Sequence, residues 1–264
     1  MTFGFPNRQI IVRFVQIVHQ LTEVVISSTG SPLSDATLGP GGNSAVDLVA
    51  NTLRTEILEG RLLSGARLKD THLSERFTVS RNTMREALRE LASRGLVVTR
   101  RNVGCTVRLI SEEDVRDIYR VRRVLENQAV LGSSGADRGQ LSSVSAAIDN
   151  TAKAAAAEEW KEVGTASLYF HQALVGLIDS PRLNAFFENI LAELRLVFAI
   201  MDDESTFQQQ WVERDREIAT YLLSGRRSKA TEALDRYLND SESLVIDTIR
   251  TDRCALVAPV DDRG

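Results

Sequence analysis

Residues 80–91 carry the side chains whose chemistry is clearest in this sequence. Arg81, Asn82 and Arg85 share one stripe of a segment with helical apolar spacing. Arginine donates two hydrogen bonds to guanine O6 and N7, and asparagine pairs in the same bidentate way with adenine. Ser80 can cap a helix that starts here, and the positive end of the helix dipole suits a phosphate. The stretch therefore has the chemistry to read bases in a DNA major groove, unless it is the solvated face of an ordinary amphipathic helix.

The residues around this stretch predict a helix, a tight turn and a second helix. Leu73 and Phe77 are four residues apart and share one face of a short helix. Thr78 and Val79 form the turn, with Val79 as an apolar plug. The second helix then buries an apolar stripe, which consists of Met84, Ala87, Leu88 and Leu91.

The sequence after the second helix predicts a two-stranded hairpin. Gly95 is a typical helix terminator, and residues 96–99 have strand composition. A basic turn over residues 100–104 leads to a second strand over residues 105–108. Upstream, residues 46–58 have the apolar spacing of a third helix. Three helices and a two-stranded wing with a basic tip form a winged helix-turn-helix.

Two segments of this region resemble the GntR family of bacterial transcription regulators. Residues 79–97, VSRNTMREALRELASRGLV, are similar to the family's recognition segment, and residues 53–77 are similar to its opening. Ser64-Gly65 stands where the family usually has proline and glycine. The resemblance implies that Arg81 and Arg85 read bases, with Asn82 and Thr83 beside them. It further implies minor-groove or phosphate contacts at the wing tip, and it makes Arg67 a candidate unless that residue pairs with a local carboxylate. The two residues implied at the tip are Arg101 and Gly104.

Beyond residue 108 the sequence predicts only helices, so the fold class is mainly α. A winged helix-turn-helix is followed by an all-helical bundle of about six helices. The first bundle helix has a capped acidic start at residues 111–114. The six helices are expected over residues 111–131, 141–157, 160–178, 181–201, 206–224 and 228–250.

The bundle resembles the FCD domain, the effector-binding domain of the FadR-like branch of GntR regulators. The resemblance lies in residues 111–130, 168–183 and 213–238. In typical members one aspartate and three histidines hold a divalent metal that helps to bind a small carboxylate. Those positions correspond here to Ser167, His171, Asp215 and Tyr237, of which only His171 keeps the usual residue.

These departures change the expected chemistry of the site. Zinc and similar metals favour several imidazole ligands, so we expect no cofactor and no tightly bound metal, with His171 and Asp215 as weak candidate ligands. His171 is then either a core histidine hydrogen-bonded to Tyr237 or Asp215, or part of a cavity that binds an effector directly. Arg122 or Arg195 would assist in that cavity, although surface ion pairs are an alternative for both.

The charge distribution separates the two regions. Residues 46–108 have a net charge of +5, residues 109–264 a net charge of −9, and the first 45 residues are balanced. The basic region suits DNA, and the acidic remainder must have a different role. We expect a leader and linker over 1–45, a DNA-binding domain over 46–108, an effector-binding and dimerisation domain over 109–253, and a tail over 254–264.

Other classes of protein lack support in the sequence. Phosphate-loop, HExxH and GxSxG motifs are absent, and the three histidines are far apart in the sequence. We therefore expect that the protein is not an enzyme. Residues 10–26 are too polar and too short for a membrane span, so we expect no membrane partner. This leader is either an extra amphipathic helix that docks on a dimer or the result of a start codon placed too early. Cys105 and Cys254 form no disulfide framework, which favours the cytoplasm.

Together these features predict a cytoplasmic homodimer that regulates transcription, more often as a repressor. Two winged helices would read a palindromic operator in double-stranded DNA. A small-molecule effector, expected to be an organic acid, would alter operator affinity through the junction at residues 107–114. The alternative is a DNA-binding dimer whose bundle has lost ligand binding and only dimerises.

Overall fold

The chain folds into a small helix-and-sheet unit followed by a larger helical bundle. The computed structural model describes residues 44–100, 104–198 and 204–257. The first unit contains α1 (Ala45–Leu58), β1 (Arg67–Leu68), α2 (Asp70–Phe77), α3 (Arg81–Ser93), β2 (Val97–Arg100) and β3 (Gly104–Val107). The bundle contains α4 (Glu112–Gly132), α5 (Arg138–Ala156), α6 (Trp160–Gly176), α7 (Pro181–Phe198), α8 (Glu204–Leu223) and α9 (Arg227–Val257), with a short 3₁₀ helix, Ser133–Gly135, after α4.

The sheet of the first unit has three strands rather than the predicted two. Its order is β1-β3-β2, and both pairings are antiparallel, with Leu68 opposite Cys105 and Val98 opposite Thr106. β1 has only two residues, which is too short for an alternating pattern to show in the sequence. The predicted mainly α fold, a winged helix-turn-helix followed by a helical bundle, is confirmed with this additional edge strand.

Local capping signals fix the ends of α2 and α3. Thr78 ends α2 in the left-handed conformation with a φ of 54°, and Ser80 then caps α3 by accepting a hydrogen bond from the Thr83 amide at 3.0 Å. Gly95 follows α3 with a φ of 78°, a conformation that glycine adopts without steric cost. Each residue of the predicted apolar stripe on α3 is buried, and the stripe packs against α1.

Two bundle helices extend three or more residues beyond their predicted ranges. α5 begins three residues early, because Asp137 caps it and forms a reciprocal pair of hydrogen bonds with Gln140. α9 continues to Val257, into the segment predicted as a tail. No glycine or proline interrupts the sequence between Arg250 and Pro259, so nothing in the chain stops this helix earlier.

The two units contact each other mainly through α1 and α7. Arg54 of α1 pairs with Glu188 of α7 at 2.5 Å. The Ser64 hydroxyl donates to the Leu196 carbonyl at 2.8 Å. The first unit, from α1 to β3, is hereafter the recognition unit because it contains the predicted recognition segment. It is therefore held on the bundle by side chains as well as by the linker between β3 and α4.

Several predictions concern residues outside the described ranges. They include the expected leader and linker up to residue 43, the wing-tip residue Arg101, and the last seven residues of the expected tail. None of the helices in the described ranges combines the length and the apolar character that a membrane span requires.

The core under α1 can be tested with two leucines on the same helix. Leu53 is fully buried, whereas Leu48 is 40% exposed. We expect Leu53→Ala to lower the free energy of unfolding by about 2–5 kcal/mol, because it removes buried methyl groups and leaves a cavity. Leu48→Ala should cost less than about 1 kcal/mol. Urea unfolding followed by circular dichroism measures both, and equal losses would contradict this packing.

Candidate nucleic-acid interface and buried polar site

The outer face of α3 presents polar side chains to solvent. The side chains of Arg81 and Arg85 are 57% and 53% exposed, and Asn82 is exposed beside them. Asn82 Nδ2 donates to Glu86 at 3.1 Å, and the Thr83 hydroxyl lies 2.8 Å from that of Ser80. Because the opposite stripe is buried, this face is the part of α3 that is free to enter a DNA groove.

An aspartate on the preceding helix contacts both arginines of this face. Arg85 Nε donates to Asp70 Oδ2 at 2.7 Å, and Arg81 Nη2 lies 3.4 Å from the same oxygen. The hydrogen bond from Arg85 is the main reason that the pKa of Asp70 lies below its ordinary value. Sequence reasoning missed Asp70, because periodicity within one helix gives no information on contacts with a neighbouring helix.

The other sequence-predicted DNA contacts lie on the sheet. Arg67 is exposed on β1 opposite Thr106, and within the described ranges it forms no ion pair. Gly104 begins β3 with a φ of 93° in open surroundings, a conformation that disfavours other residues. Both residues remain predicted contacts.

A chain of polar side chains crosses the core of the bundle. Arg122 Nε donates to Glu126 Oε1 at 2.7 Å, and Glu126 Oε2 lies 2.6 Å from His171 Nδ1. The other ring nitrogen of His171, Nε2, lies 3.6 Å from Asp215 Oδ1. The Ser167 hydroxyl donates to Asp215 Oδ2 at 2.7 Å. These groups come from α4, α6 and α8, which otherwise pack through apolar contacts.

Tyr237 of α9 completes this buried polar site. Its hydroxyl lies 3.5 Å from the Ser167 hydroxyl, and its ring centroid lies 4.8 Å from that of His171 and 4.9 Å from that of Trp211. The structure thus places Ser167, His171, Asp215, Tyr237 and Arg122 close together in the core, and their role as an effector pocket stays a prediction.

Burial determines the protonation chemistry of the site. Burial raises the pKa of Asp215 to about 6, although His171 and Ser167 act in the opposite direction. Burial also acts to raise the pKa of Glu126, but Arg122 and His171 outweigh it and hold that pKa below its ordinary value. The pKa of Tyr237 lies well above its ordinary value because of burial and the nearby Asp215.

Three polar atoms of the site are inaccessible and have no hydrogen-bond partner in the described part of the chain. They are Arg122 Nη2, His171 Nε2 and Asp215 Oδ1. Leaving a buried polar group unsatisfied is costly, and such groups often mark the position of a ligand or a water molecule. The site therefore retains capacity to donate and to accept hydrogen bonds.

Two residues differ from the sequence-based expectation. Glu126 was missed, although it stands one helical turn after Arg122 on the same face of α4. Arg195 lies apart from the buried polar site. It packs at the junction against Gly60, where an added Cβ would clash with the Arg195 guanidinium. Arg122 and Arg195 are both buried, so the alternative of surface ion pairs was wrong.

The donor set does not fit the metal site that the FCD resemblance implies. One imidazole nitrogen, His171 Nε2, and one carboxylate, Asp215, face each other, and the other two positions offer only hydroxyl groups. The raised pKa of Tyr237 keeps its phenol neutral, which makes it a poor ligand. Within the described ranges, no group of three or more histidine, cysteine, aspartate or glutamate side chains is placed to hold a metal ion.

Comparison with known proteins matches both units of the chain. The family model "Bacterial regulatory proteins, gntR family" matches residues 46–107, and the FCD domain model matches residues 117–240. The relative named "Uncharacterized HTH-type transcriptional regulator YdhC" from Bacillus subtilis is 31% identical over 142 residues, which cover 53% of this chain and 63% of the relative. The "Probable D-xylose utilization operon transcriptional repressor" from Paenarthrobacter nicotinovorans is 25% identical over 183 residues, which cover 69% and 80% of the two chains.

A solved structure gives a further match. The crystal structure of a GntR regulator from Rhodococcus sp. RHA1 superposes with a TM-score of 0.72 at 36% sequence identity. The superposition covers 78% of this chain and 99% of the other. The likeness therefore extends across both the recognition unit and the bundle.

The raised pKa of Asp215 predicts how stability depends on pH. The unfolded carboxyl titrates near pH 4 and the folded one near pH 6, so between these values the folded state binds more protons and stability falls as pH rises. We expect Asp215→Asn to abolish this fall. The free energy of unfolding of the variant, measured relative to that of wild type, should therefore rise by about 1–3 kcal/mol between about pH 4 and pH 6.5.

Urea unfolding at several pH values measures this difference. Asparagine can still accept the hydrogen bond from Ser167, so the variant should fold. The control Asp149→Asn, which changes an exposed aspartate on α5, should follow the wild-type curve. A constant difference between Asp215→Asn and wild type across this range would show that Asp215 titrates normally.

Proposed function

Because this chain belongs to the GntR family of bacterial regulatory proteins and carries an FCD domain, we propose that it is a sequence-specific repressor controlled by a small molecule. The family and the matched relatives are transcription regulators, not enzymes. In this proposal residues 46–108 read DNA, and residues 109–253 bind the effector and dimerise.

The observation that carries the DNA-binding proposal is the exposed face of α3. This face exposes Arg81, Asn82 and Arg85 to solvent, whereas the apolar stripe on the opposite side of α3 is buried in the core. The amino-terminal turn of α3 would contact base edges, and Arg67, Gly104 and Arg101 would contact the flanking backbone or minor groove. A homodimer would place two such helices on the half-sites of a palindromic operator.

The effector would bind in the buried polar site. Arg122 Nη2 is a charged donor without a partner in the described ranges, and charge-assisted pairing with a carboxylate is the strongest contact open to it. His171 Nε2 and Asp215 Oδ1 lie close by and would orient a second polar group of the ligand. We therefore propose a small organic acid that binds without a metal ion.

A short structural path joins this site to the recognition unit. Helix α4 carries Arg122 and Glu126, and at its amino end Asp114 pairs with Arg108 of the linker. Arg108 also contacts Glu193 of α7 at 3.3 Å and the Gly95 carbonyl, just beyond α3, at 3.4 Å. A shift of α4 on ligand binding would therefore reach the end of the recognition helix. Couplings of this kind are about 1–3 kcal/mol, or about 5- to 150-fold in affinity.

The DNA-reading face can be tested on DNA selected by the wild-type protein from a random pool. We expect Arg81→Ala and Arg85→Ala each to lower the preference for the selected DNA over unrelated DNA by about 1–3 kcal/mol, because each loses a base contact. Arg120→Ala is a matched control, since Arg120 is 68% exposed on α4, away from α3. Fluorescence anisotropy at several salt concentrations measures both affinities. Unchanged preference in both variants would show that another surface reads the DNA.

The effector proposal predicts stabilisation by an organic acid that does not depend on a metal. A panel of mono- and dicarboxylic acids is screened by thermal unfolding, with and without a chelator. An acid present at about 100 times its Kd should stabilise the protein by about 2.7 kcal/mol and should do so equally in both conditions. The same acid should change operator affinity.

Two other outcomes would contradict the effector proposal. Stabilisation that requires an added divalent ion would show that the acid binds through a metal ion. If no acid stabilises the protein and operator affinity is constant, the bundle only dimerises. The polar groups already pair largely with one another, which is the feature that favours this second function.

A further inference from the structure

Asp70 stands outside the recognition helix but contacts its two reading arginines. We propose that Asp70 is a positioning residue that aims the Arg85 guanidinium at a guanine, and that it thereby determines sequence preference rather than overall affinity. This inference rests on the proposed function, in which the exposed face of α3 reads DNA.

The geometry of the Arg85 guanidinium supports this role. Asp70 Oδ2 accepts from Nε at 2.7 Å, and Nε lies on the side of the planar group. The two terminal nitrogens, Nη1 and Nη2, are the donors that match guanine O6 and N7. Because the group is planar, fixing Nε also fixes the direction in which the terminal pair points. Asp70 therefore leaves the reading end of Arg85 free while it restricts the orientation of that end.

The position of Asp70 makes it a rigid support. It is the first residue of α2, where the helix dipole favours a negative charge, and its side chain is 24% exposed. The Asp70 carboxylate is ionised at neutral pH, and the hydrogen bond from Arg85 holds its pKa below the ordinary value. An exposed arginine loses much conformational freedom when it binds, and a support that orders it beforehand reduces that loss.

The second arginine is held less firmly. Arg81 Nη2 lies 3.4 Å from the same oxygen of Asp70, near the limit for a hydrogen bond. The contact uses a terminal nitrogen, which bidentate pairing with a base would need. Asp70 therefore supports Arg85 in its reading orientation, whereas Arg81 must release Asp70 to read a base.

A simpler role for Asp70 makes the opposite prediction. If Asp70 were only a surface charge near the DNA backbone, its removal would strengthen binding to every DNA by relieving repulsion and would leave sequence preference unchanged. If Asp70 positions Arg85, its removal weakens the preference for the selected DNA while binding to unrelated DNA stays equal or becomes tighter. The ratio of the two affinities separates these roles.

The test uses the full-length protein with Asp70→Asn, Asp70→Ala and the control Glu75→Gln. Glu75 is exposed on the same helix α2, so its substitution removes the same charge without touching the arginines. DNA selected by the wild-type protein is compared with unrelated DNA, and with selected DNA that carries 7-deazaguanine in place of each guanine in turn. The modified base lacks the N7 acceptor.

We expect Asp70→Ala to lower the preference for selected DNA about 10-fold, in line with the loss of one well-oriented bidentate contact. Asp70→Asn should lower this preference less than Asp70→Ala does, because the amide oxygen of asparagine can still accept the hydrogen bond from Arg85 Nε. Glu75→Gln should change the preference less than about 2-fold. The 7-deazaguanine substitution that weakens wild-type binding but has no effect on Arg85→Ala should also have little effect on Asp70→Ala.

A double substitution distinguishes positioning from general damage. In an Arg85→Ala background, Asp70→Ala should cause no further loss of preference, because the group that it positions is gone. Additive losses, or a preference that Asp70→Ala leaves intact, would overturn the inference. A wild-type protein that shows no preference for any DNA would overturn the proposed function, and the inference with it. Circular dichroism and urea unfolding of each variant exclude misfolding as the cause of a loss.

Discussion

Burial of the Glu126 carboxylate is the constraint on which the arrangement of the bundle depends. A buried, unpaired carboxylate costs several kcal/mol, so Glu126 requires both Arg122 on its own helix and His171 on α6. These contacts fix α4 against α6 more specifically than apolar packing does, because hydrogen bonds are directional. Ser167 and Asp215 hold α8 to α6 in the same way, and the hydrogen bond between Tyr119 and Ser241 joins α4 to α9. The polar chain therefore sets the relative position of four helices.

The same helix α4 connects the buried polar site to the contacts that hold the recognition unit. Glu126 and Asp114 are twelve residues apart on α4, which is about 18 Å along the helix axis. Arg108 lies between Asp114, Glu193 and the end of α3, so it contacts both units at once. Burial raises the pKa of Glu193 to about 7, so near neutral pH this carboxyl changes between an ionised partner of Arg108 and a neutral group.

Features encoded by neighbouring residues could be predicted from the sequence, and features made by distant residues could not. Ser80, Gly95 and the apolar stripe of α3 signal their structure within one or two helical turns, and the fold followed from such signals. Asp70 lies fifteen residues before Arg85, and β1 is paired by residues nearly forty positions away, so no local period reveals either. The misplacement of Arg195 has a similar origin, because Arg195 packs on Gly60, which lies 135 residues earlier in the sequence. The roles of the predicted DNA-contacting and effector-site residues stay predictions.

The chemistry of the buried polar site follows from the replacement of imidazole by carboxylate and hydroxyl groups. Burial raises the pKa of Asp215 to about 6, because His171, Ser167 and Arg122 compensate the buried charge only in part. An anionic ligand that pairs with Arg122 would add a further negative charge near Asp215 and raise that pKa again. Each ionised Asp215 would then take up a proton as the ligand binds, and its protonated oxygen could donate to the ligand or to His171. With the bound acid that we propose, the positions that hold a metal in typical FCD domains would therefore couple the charge of the ligand to the protonation of Asp215, inside the helices that contact the recognition unit.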